Sequence, residues 1–384
     1  MRRIGLILFL PLMLFGCMQS KNIDEYAYVL NVGVERGTTM PYLVTALVSV
    51  PGGTEDTKVT NTVITAEART FSEAYETLNA IYPSRLSFSR ASLLAIGEDL
   101  AQSGEQDAFL NFAFGKPDLW PNLRVVVAKP PIRDVFEGWI SEADPSLRKI
   151  KTAVGDLSGV SGMTADTGYS TYLEAIGDKR FDVMLAYAGE NEYGLQPDMV
   201  GGEAYPYTGG SLLTESALKT STVGSAVFDG SRMVGILDGR HTMEVLMVTG
   251  AFQKGEMHFT LPDGSAMRAA LYRMRAPEIR LHNGEASVEL HLKADVFDPE
   301  TVSMEQDALK ALIEERLETE FSAVFAALQR ANSDAMGFGR FRAEQFRDVK
   351  AWEACDWKSE YRALNVTFSV TVMLSHERRG SETE

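Results

Sequence analysis

Residues 303–374 constrain the fold most, because apolar stripes of two different periods follow one another there. Leu309, Leu312, Ile313, Leu317, Phe321, Val324, Phe325 and Leu328 recur at spacings of three and four. They make one apolar face of a helix of about seven turns, roughly 30–40 Å long. Glu305, Glu314, Glu315, Glu318 and Glu320 load its other face. Ser303, with Gln306 three residues on, reads as its capping box. Strands of period two stand on either side. Val288, Leu290, Leu292, Ala294 and Val296 alternate with Ser287, Glu289, His291, Lys293 and Asp295. Leu364, Val366, Phe368, Val370, Val372 and Leu374 alternate with Asn365, Thr367, Ser369 and Thr371. Each strand has one dry face, and a long helix laid over an antiparallel sheet buries both kinds of stripe. Asn283-Gly284 supplies a two-residue turn between Glu278–His282 and Ala286–Val296.

The first half is a mixed series. Tyr26, Tyr28, Leu30, Val32 and Val34 predict a strand with these five residues on one face. Tyr42–Val50 and Val59–Ala66 predict two more, separated by Pro51-Gly52-Gly53. Thr70 and Glu73 form a capping box for a helix that Pro83 stops. Strands at Ser92–Ile96 and Leu123–Ala128 and a helix at Ile132–Trp139 follow. Tyr169–Ile176 predicts a short helix and Val183–Tyr187 a strand, and Gly189–Gly210 reads as a long loop or junction. Val223–Phe228 and Met233–Leu237 make a hairpin about Asp229-Gly230. His241–Val248 predicts a helix, and Met257–Leu261 and Met267–Met274 predict strands. The expected class is α+β, with mixed and antiparallel sheets, packed helices and two to three domains. The expected units are an N-terminal domain at 25–195, a junction and middle region at 196–262, and a C-terminal domain at 263–378. Whether 196–262 forms a domain of its own is left open.

The chain starts with an export-type segment. Arg2 and Arg3 precede the apolar run Ile4–Phe15, which is too short to cross a hydrocarbon core as a helix. Leu14-Phe15-Gly16-Cys17 looks like a bacterial lipobox. Residues 1–16 are then a lipoprotein signal peptide, and Cys17 carries covalent diacylglycerol and an N-acyl lipid. The alternative is an ordinary signal peptide with a chance cysteine. Residues 17–24 form a lipidated tether, of which Met18–Asp24 reaches only about 23–25 Å when extended. The body sits close to the head groups on the extracytoplasmic face. No later run is long and apolar enough to cross a bilayer.

Net charge is −16 at pH 7. That argues against a nucleic-acid partner, whose electrostatic footprint on a protein is basic. It also disfavours lying flat on anionic lipid. With Cys17 blocked, Cys355 stands alone and no internal disulfide is possible.

No catalytic or metal site is legible. His241, His258, His282, His291 and His376 show no ligand spacing and read as surface histidines. Ser216-Ala217-Leu218-Lys219 matches S-x-x-K without the companion motifs of a serine hydrolase. Gly337-Phe338-Gly339 lacks the strand and third glycine of a dinucleotide loop and reads as the stop of the long helix.

Two blocks carry a resemblance. One is Asn332-Ser333-Asp334-Ala335-Met336-Gly337-Phe338-Gly339-Arg340, followed by Trp352 and Trp357 and ending in Arg378-Arg379-Gly380. The other is Gly224-Ser225-Ala226-Val227-Phe228, followed by Met233-Val234-Gly235. Together with the lipobox, Ser84-Arg85-Leu86-Ser87-Phe88 and Gly97-Glu98, they resemble the Ger(x)C family, the lipoprotein C subunits of spore germinant receptors. The resemblance implies a non-catalytic α+β subunit on the outer surface of the spore inner membrane, beside two integral membrane subunits. It implies no cofactor beyond the lipid and no small-molecule pocket in this chain. Gly224, Phe228, Gly235, Asp334, Gly337, Gly339, Trp352 and Trp357 are the motif positions, structural or interacting. Two other readings stand beside it. One is a solute-binding lipoprotein feeding a transporter, with 189–210 as a hinge. The other is an envelope hydrolase using Ser216 and Lys219.

Overall fold

Four apolar runs form the centre of the first sheet: β1 (Tyr26–Arg36), β5 (Leu93–Gly97), β6 (Arg124–Ala128) and β7 (Met184–Glu190). They lie side by side and parallel. Such near-continuous apolar strands suit burial on both faces. β2 (Tyr42–Val50) and β3 (Thr60–Ala68) extend the sheet antiparallel from β1. The hairpin β8 (Thr220–Asp229) and β9 (Arg232–Leu237) extends it from β7. β4 (Arg85–Ser87) runs beside the start of β1. The computed structural model describes residues 26–50, 60–113, 123–142, 158–159, 161–190, 220–297 and 304–375. Cys17, Ser216, Lys219, Ser303, His376 and Arg378-Arg379-Gly380 lie outside them.

One face of this sheet carries α1 (Phe71–Ile81), α2 (Glu98–Ser103), α3 (Gln106–Ala113) and α5 (Tyr169–Gly177); α4 (Ile132–Glu142) covers part of the other. The Thr70 hydroxyl accepts from Glu73 N at 3.2 Å, as the capping box predicts. The Glu73 carboxylate reaches Arg69 N instead of Thr70 N.

β1 differs from its expected facing. A bulge between Val29 and Asn31 leaves Leu30 without a partner on β2. The extra residue shifts the two-residue phase. Ala27 and Val29 before it, and Val32 and Val34 after it, therefore enter the same core.

The second sheet contains β10 (Lys254–Thr260), β11 (Ala266–Arg273), β12 (Glu278–His282), β13 (Glu285–Val296) and β14 (Asn365–Ser375). Asn283 and Gly284 both take positive φ, 51° and 79°, as a two-residue hairpin turn demands. The expected inward residues of β13, from Val288 to Val296, are buried. β14 departs from the antiparallel expectation, since it runs parallel to β13 from Asn365 to Ser375. The cause is the intervening helix α7 (Gln306–Arg330), which returns the chain to the starting end of β13. α7 begins at Gln306 with Glu305 at its N-cap. Its stripe is buried as expected, with Leu312 half-buried. Phe321 stacks on Phe368 of β14 at 5.6 Å.

Between the sheets lies α6 (Gly239–Thr249). Every side chain from His241 to Val248 on it is buried. It belongs to one core with Met184, Val227 and Leu237 of the first sheet, with Leu290 and Leu292 of the second, and with α7. The described part of 196–262, residues 220–262, divides between the sheets: β8 and β9 complete the first, and β10 opens the second.

Candidate functional site: the polar joint between the sheets

α7 ends in a Schellman turn. Asn332 takes φ +58° and its N–H donates to Gln329 O, while Ser333 N–H donates to Leu328 O. Asn332, not Gly337-Phe338-Gly339, is therefore the stop of the long helix. The sharp turn drives Asp334 into the interior, where it is 1% exposed.

The Asp334 carboxyl grips the first turn of α8 (Phe338–Ala343). Oδ1 accepts from Phe338 N at 2.9 Å, and Oδ2 accepts from Gly339 N at 2.8 Å and from Trp357 Nε1 at 3.0 Å. Gly337 sits at the N-cap with φ +76°, a conformation that favours glycine. A Cβ on Gly339 would lie 2.7 Å from both Arg180 O and Trp357 Nε1. The spacing D-x-x-G-F-G thus has a geometric cause: a side chain reaching forward to two successive N–H groups needs glycine at both bends. Burial pushes the Asp334 pKa up to about 7; the Gly339 N–H works against that shift, and the charge of Asp182 adds to it.

Asp182, just before β7, ties this turn to the first sheet. Its Oδ2 accepts from Asp334 N at 2.5 Å and from Lys358 Nζ, and its Oδ1 accepts from Gly230 N at 2.8 Å. Lys358 stands on α10 (Trp357–Arg362). It also pairs with Asp229 at 2.7 Å and donates to Asn332 O at 2.8 Å. Burial alone would depress the Lys358 pKa, but Asp182 and Asp229 outweigh it and hold it above its ordinary value. Tyr361 OH donates to Ser333 O at 2.7 Å.

The structure thus brings most of the motif together. Asp334, Gly337, Gly339 and Trp357 meet directly. Trp352, on α9 (Val349–Glu353), packs on Trp357 with ring centres 6.3 Å apart. Phe228 is fully buried one residue before Asp229, and its N–H donates to Val183 O. Gly224 and Gly235 lie farther along the β8–β9 hairpin, outside the joint. Gly224 has φ +84° and donates to Met163 O; Gly235 faces Val227, next to a register shift. Sequence reasoning missed Asp182 and Lys358, which carry the ion pairs. The only local signals were an acid directly before an apolar strand and a lysine directly after a motif tryptophan.

A second polar cluster sits on α6. Arg240 makes bonds of 2.7 and 2.8 Å to the two carboxylate oxygens of Glu320 on α7, and donates to His258 O. Glu244 is fully buried, with Arg240 Nε 3.7 Å from its Oε1. Burial raises the Glu244 pKa well above the usual range; Glu320 adds to that and Arg240 opposes it. Asp238 caps α6 by accepting from His241 N at 2.7 Å. His241 itself is buried, with Nδ1 2.9 Å from Asp238 Oδ1, so the surface reading fails there. Among the described residues, no three His, Cys, Asp or Glu side chains converge as a metal-ligand set.

A cavity of about 440 Å³ opens beside the joint, lined in part by Asp166, Thr167, Phe181, Thr249 and Arg340. Several of its polar groups are already engaged within the fold. The Thr167 hydroxyl donates to Met184 O, Thr249 to Leu246 O, and Asp166 pairs with Arg124.

Two family models match the chain, a spore germination protein N-terminal domain over 19–188 and a "spore germination B3/GerAC like, C-terminal" model over 223–377. The chain belongs to the GerAC-like spore germination family. The crystal structure of the GerBC protein is similar in fold, with a TM-score of 0.52 at 13% identity, over 89% of this chain and 96% of that one. No curated protein matches. In this GerAC-like chain the joint spans the two matched regions: Asp182 belongs to the N-terminal match, and Asp229, Asp334 and Lys358 to the C-terminal one.

Proposed function

We propose that this GerAC-like chain is the lipid-anchored C subunit of a spore germinant receptor, non-catalytic, and assembled with integral membrane subunits in nutrient-triggered germination. One observation carries the reading. Most of the motif residues, with Asp334, Gly337, Gly339 and Trp357 at the centre, are spent on a buried joint between two sheets, where each carboxylate already has its donors. That is the work of a rigid scaffold rather than of a reacting centre. Cys17, blocked by diacylglycerol and an N-acyl lipid, holds the scaffold at the outer surface of the spore inner membrane. A short tether keeps its effective concentration near membrane partners high. The acidic body favours basic protein surfaces over anionic lipid.

Cys17→Ala in the sporulating host tests this. The variant is expected to fold with unchanged thermal stability, to leave the membrane fraction, and to lower the rate of nutrient-triggered germination. Full germination with the variant in the soluble fraction would refute the reading.

A further inference from the structure

On the lipid-anchored reading above, the parallel order of β1, β5, β6 and β7 sets which end of the first sheet faces the membrane. β1 begins at Tyr26, a few residues after Cys17. The starts of β6 and β7 point the same way as the start of β1. Loop 178–183 leads into β7 from that side; the register sets the start of β7 level with Asn31, about three strand spacings or 14 Å sideways from β1.

At this loop a groove of about 970 Å³ runs between the end of α5 and the α8–α9 segment. That volume accommodates about two turns of a helix. Phe346, Val349 and Trp352 give it an apolar lining, and Val349 is 69% exposed. Glu344, Asp348 and Glu353 line the same wall, and none of them forms an ion pair among the described residues. The groove's own cations are engaged: Arg180 pairs with Asp178 and Glu174, Lys179 donates to Glu353 O, and Arg340 lies 3.9 Å over the Phe181 ring. Arg347 and Lys350 do not line it.

We propose that this groove receives a basic amphipathic helix of an integral membrane subunit, with apolar residues against Val349 and Trp352 and cations against Glu344 and Glu353. The helix-in-groove mode fits an apolar floor with a charged rim. The proposal rests on the receptor-subunit reading above, since it takes the tether end as the membrane end.

A photoreactive benzophenone amino acid in place of Val349, in the full lipidated chain and irradiated in spore membranes, tests it. Val349 is exposed enough to be replaced without disturbing the core. The expected result is an adduct with a multi-pass subunit, reduced roughly tenfold or more by Glu344→Lys with Glu353→Lys, the scale of a lost anchor contact. If the multi-pass subunits co-purify but no adduct forms, or if the adduct is with a second copy of this chain, the groove assignment falls and the receptor reading stands. If no multi-pass subunit co-purifies after general crosslinking, both fall.

Discussion

Asp334 shows how much one side chain can fix. Its two oxygens receive three N–H groups from two helices, so an isosteric amide cannot serve them all. In Asp334→Asn, an NH2 group must face at least one N–H donor. The expected cost is roughly 2–4 kcal/mol of unfolding free energy, measured by denaturant titration. The pH dependence has a definite sign. The carboxyl is raised from 3.8 to about 7 in the fold, so between those values the native state holds a proton that the unfolded chain has released. Its contribution to stability is fully present below about 4 and declines as pH rises through 7. The gap between wild type and Asp334→Asn should therefore be wider at pH 5 than at pH 8. Equal gaps would mean that the carboxyl is already ionised at pH 5. The sequence displayed the motif but not this role. Asp334 and Trp357 were legible as a pattern, whereas Asp182 stands far away in the chain and meets them only through the fold. His241 misled for the same reason: nothing local announces that α6 is enclosed on every side.

At the scale of elements, the edge of β14 is managed by its neighbour. Val370 N donates to Glu318 at 2.9 Å and Val372 N to Glu314 at 2.7 Å. Two glutamates one turn apart on α7 thus occupy N–H groups of a strand that pairs only with β13 among the described strands. Unoccupied edge groups are templates for another chain. Glu314→Ala with Glu318→Ala is expected to lower stability by roughly 1–3 kcal/mol and to produce concentration-dependent oligomers in size-exclusion chromatography. A variant that remains monomeric at high concentration would show that the edge is protected some other way. Elements written in local periodicity were legible: the α7 stripe, the β13 alternation, the Asn283-Gly284 turn and the Thr70 cap. Features set by pairing were not. The β1 bulge reverses the facing of the strand's first residues only, and the direction of β14 depends on where α7 delivers the chain.

The whole molecule was legible as α+β with a helix laid over a sheet, yet its joint was not. The joint draws on Asp182, the Asp229-Gly230 turn, the end of α7 and α10, which only the folded chain brings together. The same topology has a practical consequence for dissecting the chain. β7 and β8 are hydrogen-bonded neighbours although they fall in two separate family matches. A break between Glu190 and Thr220 would interrupt the backbone but leave that ladder, the α6 packing and the Asp182 contacts able to form. The protein should behave as a split pair. Fragments 18–190 and 220–384 made separately are expected to aggregate, the first with seven strands of the severed sheet and an open edge at β7, the second with the unpartnered β8–β9 hairpin. Made together, they are expected to reassemble and co-purify through a tag on either one. A soluble, folded 220–384 fragment on its own would show that the second sheet does not need the first.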